Sequence, residues 1–361
     1  MSNNQSRVAW IDNLKAIGIF LVVFAHHEHE IPQTLLKYLY SFHVPLFFFA
    51  SGLVFMVQKY SGFKELLVNK IRTLIIPYFS FSFLTLGFWL AIAPFRGGEP
   101  FPTLQDILWG VTGVIVSSNG LIWMVHNAPL WFLTCLFIVQ VLFYLLYGLS
   151  LRLINFKSML TLACFVTLLS VLGALDRLYM PIRLPWGVDT ALTGIGFFFV
   201  GFVTRTWLQS SVSNKLTLIK IVLLTTLFAI SLTFSHINDL VNIAFNRMGN
   251  YFEFYVASFS GIGICILISK VIPENKIFSF VGRNSLAILA LHLPAYLVIR
   301  GVQKFIPWIA WLDTTYSSFL SALVYSVMQI VMITPVIYSI NRFPPFMLGR
   351  KKISGLHQHY L

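Results

Sequence analysis

The stretch RVAWIDNLKAIGIFLVVFAHHEHE, residues 7–30, decides how the rest of the chain is interpreted. Its apolar run is long enough to cross a bilayer as a helix. It nevertheless carries Asp12 and Lys15 near its start and ends on His26 in a histidine-rich segment. Ionisable groups at membrane depth indicate a functional site rather than a simple anchor.

Lys15 and His26 are predicted to share one face of this helix. They are eleven residues apart, and eleven steps of about 100° return to within about 20° of the starting direction. At about 1.5 Å of rise per residue, the two side chains are separated by roughly 16 Å along the helix axis. One helix face therefore offers a cation near one membrane surface and an imidazole near the other.

The composition identifies a polytopic membrane protein. Of its 361 residues, 57% are hydrophobic and only 10% are charged, whereas soluble chains carry about 25% charged residues. The net charge of +13 would suit nucleic acid, but the basic residues are scattered singly between apolar runs. The preference of Lys and Arg for cytoplasmic loops explains this charge, so we expect no nucleic-acid partner.

The hydrophobic pattern predicts an all-α protein with about ten transmembrane helices in a single membrane-embedded domain, residues 1–361. Alternation typical of a β-barrel is absent. The predicted helices span roughly residues 8–27, 38–58, 74–94, 129–151, 156–175, 189–207, 216–235, 253–271, 285–305 and 317–341.

Loop charges predict the orientation of this bundle. With a cytoplasmic amino terminus, most of the 25 Lys and Arg residues fall in inner loops and most of the 12 Asp and Glu residues in outer loops. The even number of helices then places both termini in the cytoplasm of a multi-pass protein of the inner or plasma membrane. The apolar piece Leu104–Val116 is too short to span and is predicted as an interfacial or re-entrant helix on the outer face.

Metal ligands are not expected. Cys135, Cys164 and Cys265 all lie in apolar runs without CxxC spacing, which is typical of buried small side chains. A metal held by the histidine-rich segment, through His26 and Glu30, is conceivable, but the sequence locates no further ligand for it.

Polar residues near the outer helix ends are candidates for the reaction itself. His26 is the first, because histidine titrates at about pH 6.5 and can act as a general base. Glu30, four residues later, would orient its ring, and His43 lies near the start of the second helix and is expected to be its neighbour. The alternative for His26 is a side chain that only reaches the lipid–water interface.

On the same outer side, Asn127, Trp131 and Glu253 are predicted to contact the acceptor substrate. Trp131 follows a proline at a helix entry. Its alternative is a place in the aromatic belt at the membrane surface, where tryptophan is enriched.

Residues at the inner helix ends are candidates for binding an anionic group. Lys15, Lys70 and Arg72 could contact phosphate, and Ser285 lies at a helix start, where backbone N–H groups also attract anions. The alternatives are ordinary positive-inside charges and a helix cap. His292, about seven residues into that helix, is either a hydrogen-bonded core residue or part of the same polar passage.

Several segments together resemble the integral-membrane acyltransferase family 3, especially its fucose 4-O-acetylase-like and surface polysaccharide O-acetyltransferase branch. The segments are WIDNLKAIGIFLVVFAHH (10–27), SFHVPLFFFASGLVF (41–55), NKIRTLIIPYF (69–79), PLWFLTCLF (129–137) and GRNSLAILALHLPAY (282–296). Asp12, Lys15 and His26 stand in the family's opening motif. Many members have arginine where this chain has Lys15. The planar guanidinium of arginine can bind phosphate through two hydrogen bonds, whereas the ammonium group of lysine acts as a point charge.

The resemblance implies transfer of an acyl group, usually acetyl from acetyl-CoA, to a hydroxyl of a cell-surface glycan or its lipid-linked precursor. His26, His43 and Asp12 would be catalytic, and Lys15, Lys70, Arg72, Ser285 and His292 would bind the donor. Beyond the donor, the glycan and the lipid bilayer, no partner is implied, and no oligomeric state is predicted.

Alternatives to this function come from several classes. A protein or lipid could be the acyl acceptor, and a covalent acyl-histidine could form on the way. A polysaccharide or lipid-linked glycan transporter would also suit ten helices with buried polar residues, although the sequence has no visible internal repeat.

Overall fold

The computed structural model describes residues 8–93, 102–117, 124, 126–153, 158–179, 183–210, 217–303, 306 and 318–350. Within these ranges all regular structure is helical, apart from an isolated antiparallel bridge between Asn242 and Arg247. The all-α prediction is therefore confirmed. The helices are α1 (Ala9–Ala25), α2 (Gln33–Leu53), α3 (Phe63–Lys70), α4 (Ile76–Ile92), α5 (Leu104–Val116), α6 (Trp131–Leu153), α7 (Ser158–Tyr179), α8 (Val188–Ser210), α9 (Leu218–Ile237), α10 (Tyr251–Val271), α11 (Lys276–Arg283), α12 (Ser285–Gln303) and α13 (Ser318–Arg342).

The chain is a multi-pass membrane protein. In the described residues, 7 helical segments are long and apolar enough to cross a membrane. They are Phe63–Ile92, Ala128–Leu153, Pro185–Gln209, Leu218–Ile237, Tyr251–Val271, Ser285–Gln303 and Ser318–Arg342. Each of the other three predicted spans also has a helix, namely α1, α2 and α7, but their crossing stays a prediction. The orientation of the bundle in the membrane also stays a prediction, and the termini, residues 1–7 and 351–361, lie outside the described ranges.

Two predicted boundaries near the amino terminus are wrong. The span predicted at 38–58 is α2, which begins directly after Pro32 and ends at Leu53. Proline has a backbone suited to a helix start, and the polar residues that follow it hid this start from a hydrophobicity scan. The first helix ends at Ala25, so residues 26–30 form a turn rather than a last helical turn.

The third predicted span, 74–94, corresponds to α4, and the short basic helix α3 runs into it without a break. A π-helical turn at Ile71–Ile75 joins them. Pro77 follows in the first turn of α4, where it cannot donate a backbone hydrogen bond and its ring crowds the carbonyl four residues earlier. The wider π turn accommodates this proline and places Leu74 toward the centre of the bundle.

Helix α1 lies at the centre of the bundle. It packs against α2, α10, α11, α12 and α13, and most of its side chains are buried. Gly282 in α11 permits one close approach, because a Cβ there would lie 2.1 Å from the carbonyl oxygen of Asp12. This contact brings the start of α12 beside the first half of α1.

Helices α2 and α8 are packed closely through a pair of glycines. A Cβ on Gly52 would lie 2.0 Å from the carbonyl oxygen of Phe198, and one on Gly201 would lie 2.1 Å from that of Phe49. Only residues without a side chain permit this backbone approach. The close contact fixes α2 between α8 and the central helix.

Helix α5 coincides with the predicted short helix Leu104–Val116. Thr103 and Asp106 form a reciprocal capping box at its start, in which each side chain accepts a hydrogen bond from the other residue's backbone N–H. Its placement at the membrane surface stays a prediction.

Candidate active site

One elongated cavity of about 470 Å³ runs along α1. Its other walls come from α2, α6, α12 and the loop between α9 and α10. Among the described residues that line it, Lys15 and Glu28 carry a formal charge. Lys15 lies ten residues before the end of α1 and Glu28 lies in the turn after it, so the two charges are at opposite ends, which we call the Lys15 end and the His26 end.

Five of the residues proposed from the sequence line this cavity. They are Lys15, His26, His43, Trp131 and Ser285. Trp131 is only 5% exposed, so it does not belong to an aromatic belt at the membrane surface. From the sequence, these residues could be assigned only to the inner or the outer ends of helices. The structure brings them together on the wall of one cavity, although they lie between positions 15 and 285.

The hydrogen bonds of His26 and His43 define which ring nitrogen can accept a proton. In each residue Nδ1 lies 2.7 Å from a backbone carbonyl oxygen, that of Val22 for His26 and that of Leu39 for His43. Because a carbonyl oxygen only accepts, Nδ1 of the neutral ring carries the proton and Nε2 carries the lone pair. Both rings are therefore prepared to accept a proton at Nε2.

His292 lies against His26 rather than on the cavity wall. The two rings pack edge to face, with centroids 4.8 Å apart. His292 is fully buried, and its Nδ1 lies 2.8 Å from the carbonyl oxygen of Leu289. Its Nε2 is buried without a hydrogen-bond partner in the described part of the chain. His292 therefore lies next to His26, the candidate general base, and away from the Lys15 end of the cavity.

Three candidates from the inner side lie outside the cavity lining. Asp12 is buried and its Oδ2 lies 3.5 Å from Nε of Arg283. Lys70 packs its ammonium over the rings of Phe55 and Tyr60. Nε of Arg72, in the π turn, is buried without a hydrogen-bond partner in the residues described.

Two candidates from the outer side also lie off the cavity. Asn127 is fully buried and donates from Nδ2 to the carbonyl oxygen of Ala290, at 2.7 Å. This bond ties the cavity residues Ala128 and Pro129 to α12. Glu253 lies in the first turn of α10, where its backbone N–H is capped by Asn250. The structure does not bring Glu253 to the cavity.

The pairing expected between His26 and Glu30 is wrong. Glu30 lies 3.9 Å from Nδ1 of His27 and accepts a 2.8 Å hydrogen bond from the hydroxyl of Tyr296. The i, i+4 spacing does not apply because α1 ends at Ala25. The neighbouring His27 is only 2% exposed and contacts Gln329 through Nε2.

Sequence reasoning missed several residues at the His26 end. Glu28 and Tyr40 both line the cavity, and the Tyr40 hydroxyl donates to the Glu28 carboxylate. The turn at residues 242–245 also lines it. Tyr40 is three residues before His43 and could have been found from helical spacing, whereas nothing in the local sequence indicates the turn.

A buried ion pair holds this turn in place. Arg183 lies 2.9 Å from Asp189 and donates to the carbonyl oxygen of Ala244, at 3.0 Å. Thr190, at the start of α8, donates to the carbonyl oxygen of Ile243. The wall of the His26 end is thus anchored to α8.

The described residues contain no group of three or more His, Cys, Asp or Glu side chains that could hold a metal ion. All three cysteines have free thiols. Cys135 and Cys265 are buried as expected, but Cys164 is exposed on α7, so the expectation of burial is wrong for this residue.

The apolar helices, and a mainly apolar cavity between them that Lys15, His26 and Glu28 line, define a membrane protein with a candidate substrate site among its helices. A family model described as an acyltransferase domain matches residues 8–340. The chain therefore belongs to acyltransferase family 3 and is a membrane acyltransferase. No curated protein and no solved structure gives a match.

Proposed function

We propose that the protein transfers an acetyl group from acetyl-CoA to a sugar hydroxyl of a cell-surface polysaccharide or its lipid-linked precursor, as in the O-acetyltransferase branch of the family. The observation that carries this proposal is the single cavity that Lys15 and His26 both line. Their separation of roughly 16 Å is of the same order as an extended pantetheine arm. The cavity can therefore hold a charged nucleotide at one end and a thioester at the other.

The Lys15 end would receive the donor. Lys15 and Ser285 line it directly, and the start of α12 contributes backbone N–H groups that attract phosphate. Lys70 and Arg72 are close in sequence to the lining residue Leu74 and would raise the local concentration of an anionic donor. We place this end on the cytoplasmic side, since acetyl-CoA is cytoplasmic and the basic loops favour that side.

At the His26 end, the acceptor hydroxyl would attack the thioester carbonyl carbon. His26 Nε2 takes the hydroxyl proton as the new C–O bond forms. The C–S bond then breaks, and the proton passes from His26 to the thiolate sulfur, so the overall reaction releases no proton. The hydrogen bond from Nδ1 to Val22 supports this role, because it keeps the lone pair on Nε2.

The remaining candidate residues would shape the cavity and hold its walls in place. His43 and Trp131 shape the acceptor side, and Asn127 holds the wall beside them through Ala290. Asp12, through Arg283, holds α1 against the junction of α11 and α12, which keeps Lys15 and Ser285 at one end of the cavity. We infer that Asp12 positions the donor end and does not touch the reacting atoms.

The experiment is transfer of radiolabelled acetyl from acetyl-CoA by the purified protein in liposomes that contain glycan acceptor. Label on the glycan, with an acetyl increment in its mass, supports the proposal. Movement of glycan across the bilayer without label would contradict it and favour the transporter alternative, which the family match does not support.

A further inference from the structure

Glu28 is the negatively charged residue of the His26 end. Its side chain is exposed, and it belongs to the cavity lining together with Tyr40. The Tyr40 hydroxyl donates to its carboxylate, and the Tyr40 ring packs edge to face on His43 with centroids 4.9 Å apart. The carboxylate is therefore held beside the imidazoles, at the end of the cavity where the proposed reaction receives its acceptor.

No cation lines the cavity near Glu28 among the described residues. Arg183 pairs with Asp189 at 2.9 Å behind the wall. Lys37 donates to the backbone carbonyl oxygen of Asn238 in the α9–α10 loop, and Arg247 packs over the Phe245 ring. Among the described lining residues, Glu28 is therefore the charged side chain presented to a ligand at the His26 end, opposite in sign to Lys15 at the other end.

We propose that Glu28 selects a neutral, hydroxyl-rich acceptor and rejects an acidic one. A carboxylate accepts hydrogen bonds from sugar hydroxyls, and these charge-assisted bonds are stronger than neutral ones. A uronate or a phosphorylated sugar would instead bring a like charge to the same place, which raises its energy there. The inference rests on the proposed function and adds to it the charge class of the acceptor.

The opposite signs of the two ends give this selection a second consequence. Acetyl-CoA is polyanionic, so the Glu28 carboxylate disfavours its nucleotide at the His26 end while Lys15 favours it at the other. One cavity can thereby bind two substrates without either blocking the other's site.

The experiment compares purified wild-type protein on pairs of acceptors that differ only in charge, methyl hexosides and the methyl glycosides of the corresponding uronic acids, with labelled acetyl-CoA as donor. The quantity measured is the ratio of kcat/KM for the neutral acceptor to that for the acidic one. We expect a ratio of about 10 or more for wild type, since about 1.4 kcal/mol of like-charge repulsion against the acidic acceptor corresponds to a factor of ten.

The variants test whether Glu28 causes this ratio. Glu28→Gln keeps the shape and removes the charge, so the ratio should fall at least about threefold, chiefly because the acidic acceptor improves. Glu28→Asp should keep the preference. Glu274→Gln, an exposed carboxylate in the loop before α11, removes the same charge elsewhere and should leave the ratio unchanged.

Equal use of both acceptors by wild type, or an unchanged ratio in Glu28→Gln, would overturn this inference and leave the proposed function standing. Absence of transfer to either acceptor would instead contradict the proposed function, and the inference with it.

Discussion

The imidazoles of His26 and His292 pack edge to face, with ring centroids 4.8 Å apart and planes at 65°. The two residues come from α1 and α12, far apart in sequence. Only His26 lines the cavity, while His292 is fully buried behind it. His26 can therefore contact substrate, whereas His292 can only support the ring of His26. Substitutions at the two residues should have different effects on catalysis.

His26→Ala should lower kcat by about 10² to 10⁴, the usual contribution of a general base. Expression and folding should be unaffected, because His26 is only partly buried. The control is His29→Ala, an exposed histidine in the same turn, which should keep full activity. Retention of more than about a tenth of wild-type kcat by His26→Ala would remove His26 from the mechanism.

His292→Phe keeps an aromatic ring against His26 and removes the buried Nε2. We expect kcat to fall by roughly tenfold, because phenylalanine lacks the Nδ1–H that ties this ring to the carbonyl oxygen of Leu289, and the ring of His26 then loses a fixed neighbour. The KM for acetyl-CoA should not change. A rise in that KM with unchanged kcat would show instead that His292 binds the donor, as its place in the sequence suggested.

Lys15→Gln should raise the KM for acetyl-CoA by about tenfold with little change in kcat, because the lost charge–phosphate attraction is present before and during the reaction. Lys15→Arg should keep the wild-type KM. Lys64→Gln provides the control, since it removes a cation from an exposed position on α3. A Lys15→Gln protein with unchanged KM and lower kcat would place Lys15 in the chemical step.

Gly52→Ala should destabilise the protein, because its Cβ would lie 2.0 Å from a backbone carbonyl of α8. Forced separation of two packed helices costs about 1 to 3 kcal/mol. Gly87→Ala is the matched control, as a Cβ at this position in α4 meets nothing within 4 Å. The unfolding temperature in detergent should fall for Gly52→Ala and stay equal or rise for Gly87→Ala. Equal temperatures for both would contradict the close packing of α2 on α8.

Much of the fold follows from patterns that are local in sequence. Apolar runs predicted every long helix that the structure describes, and helical periodicity predicted that Lys15 and His26 share one face, which is the face that lines the cavity. The ends of helices were harder to predict from hydrophobicity. Helix α2, for example, begins directly after Pro32 with polar residues, where the hydrophobicity is low.

The contacts that build the site could not be predicted in this way. Asn127 meets Ala290, 163 positions later, and His26 meets His292 across a still longer interval. Such pairs depend on how the helices pack, which the periodicity of one helix does not contain. Glu28 was missed because it looked like an ordinary loop acid, and only the folded chain places its carboxylate beside His43 through Tyr40.

The most direct test of the cavity as a two-ended reaction chamber is a cryo-electron microscopy structure with a hydrolysis-resistant acetyl-CoA analogue bound. We predict phosphates at the Lys15 end and the acyl carbonyl carbon within about 4 Å of His26 Nε2, with room for an acceptor oxygen beside it. A nucleotide at the Glu28 end, or an analogue bound outside this cavity, would contradict the account.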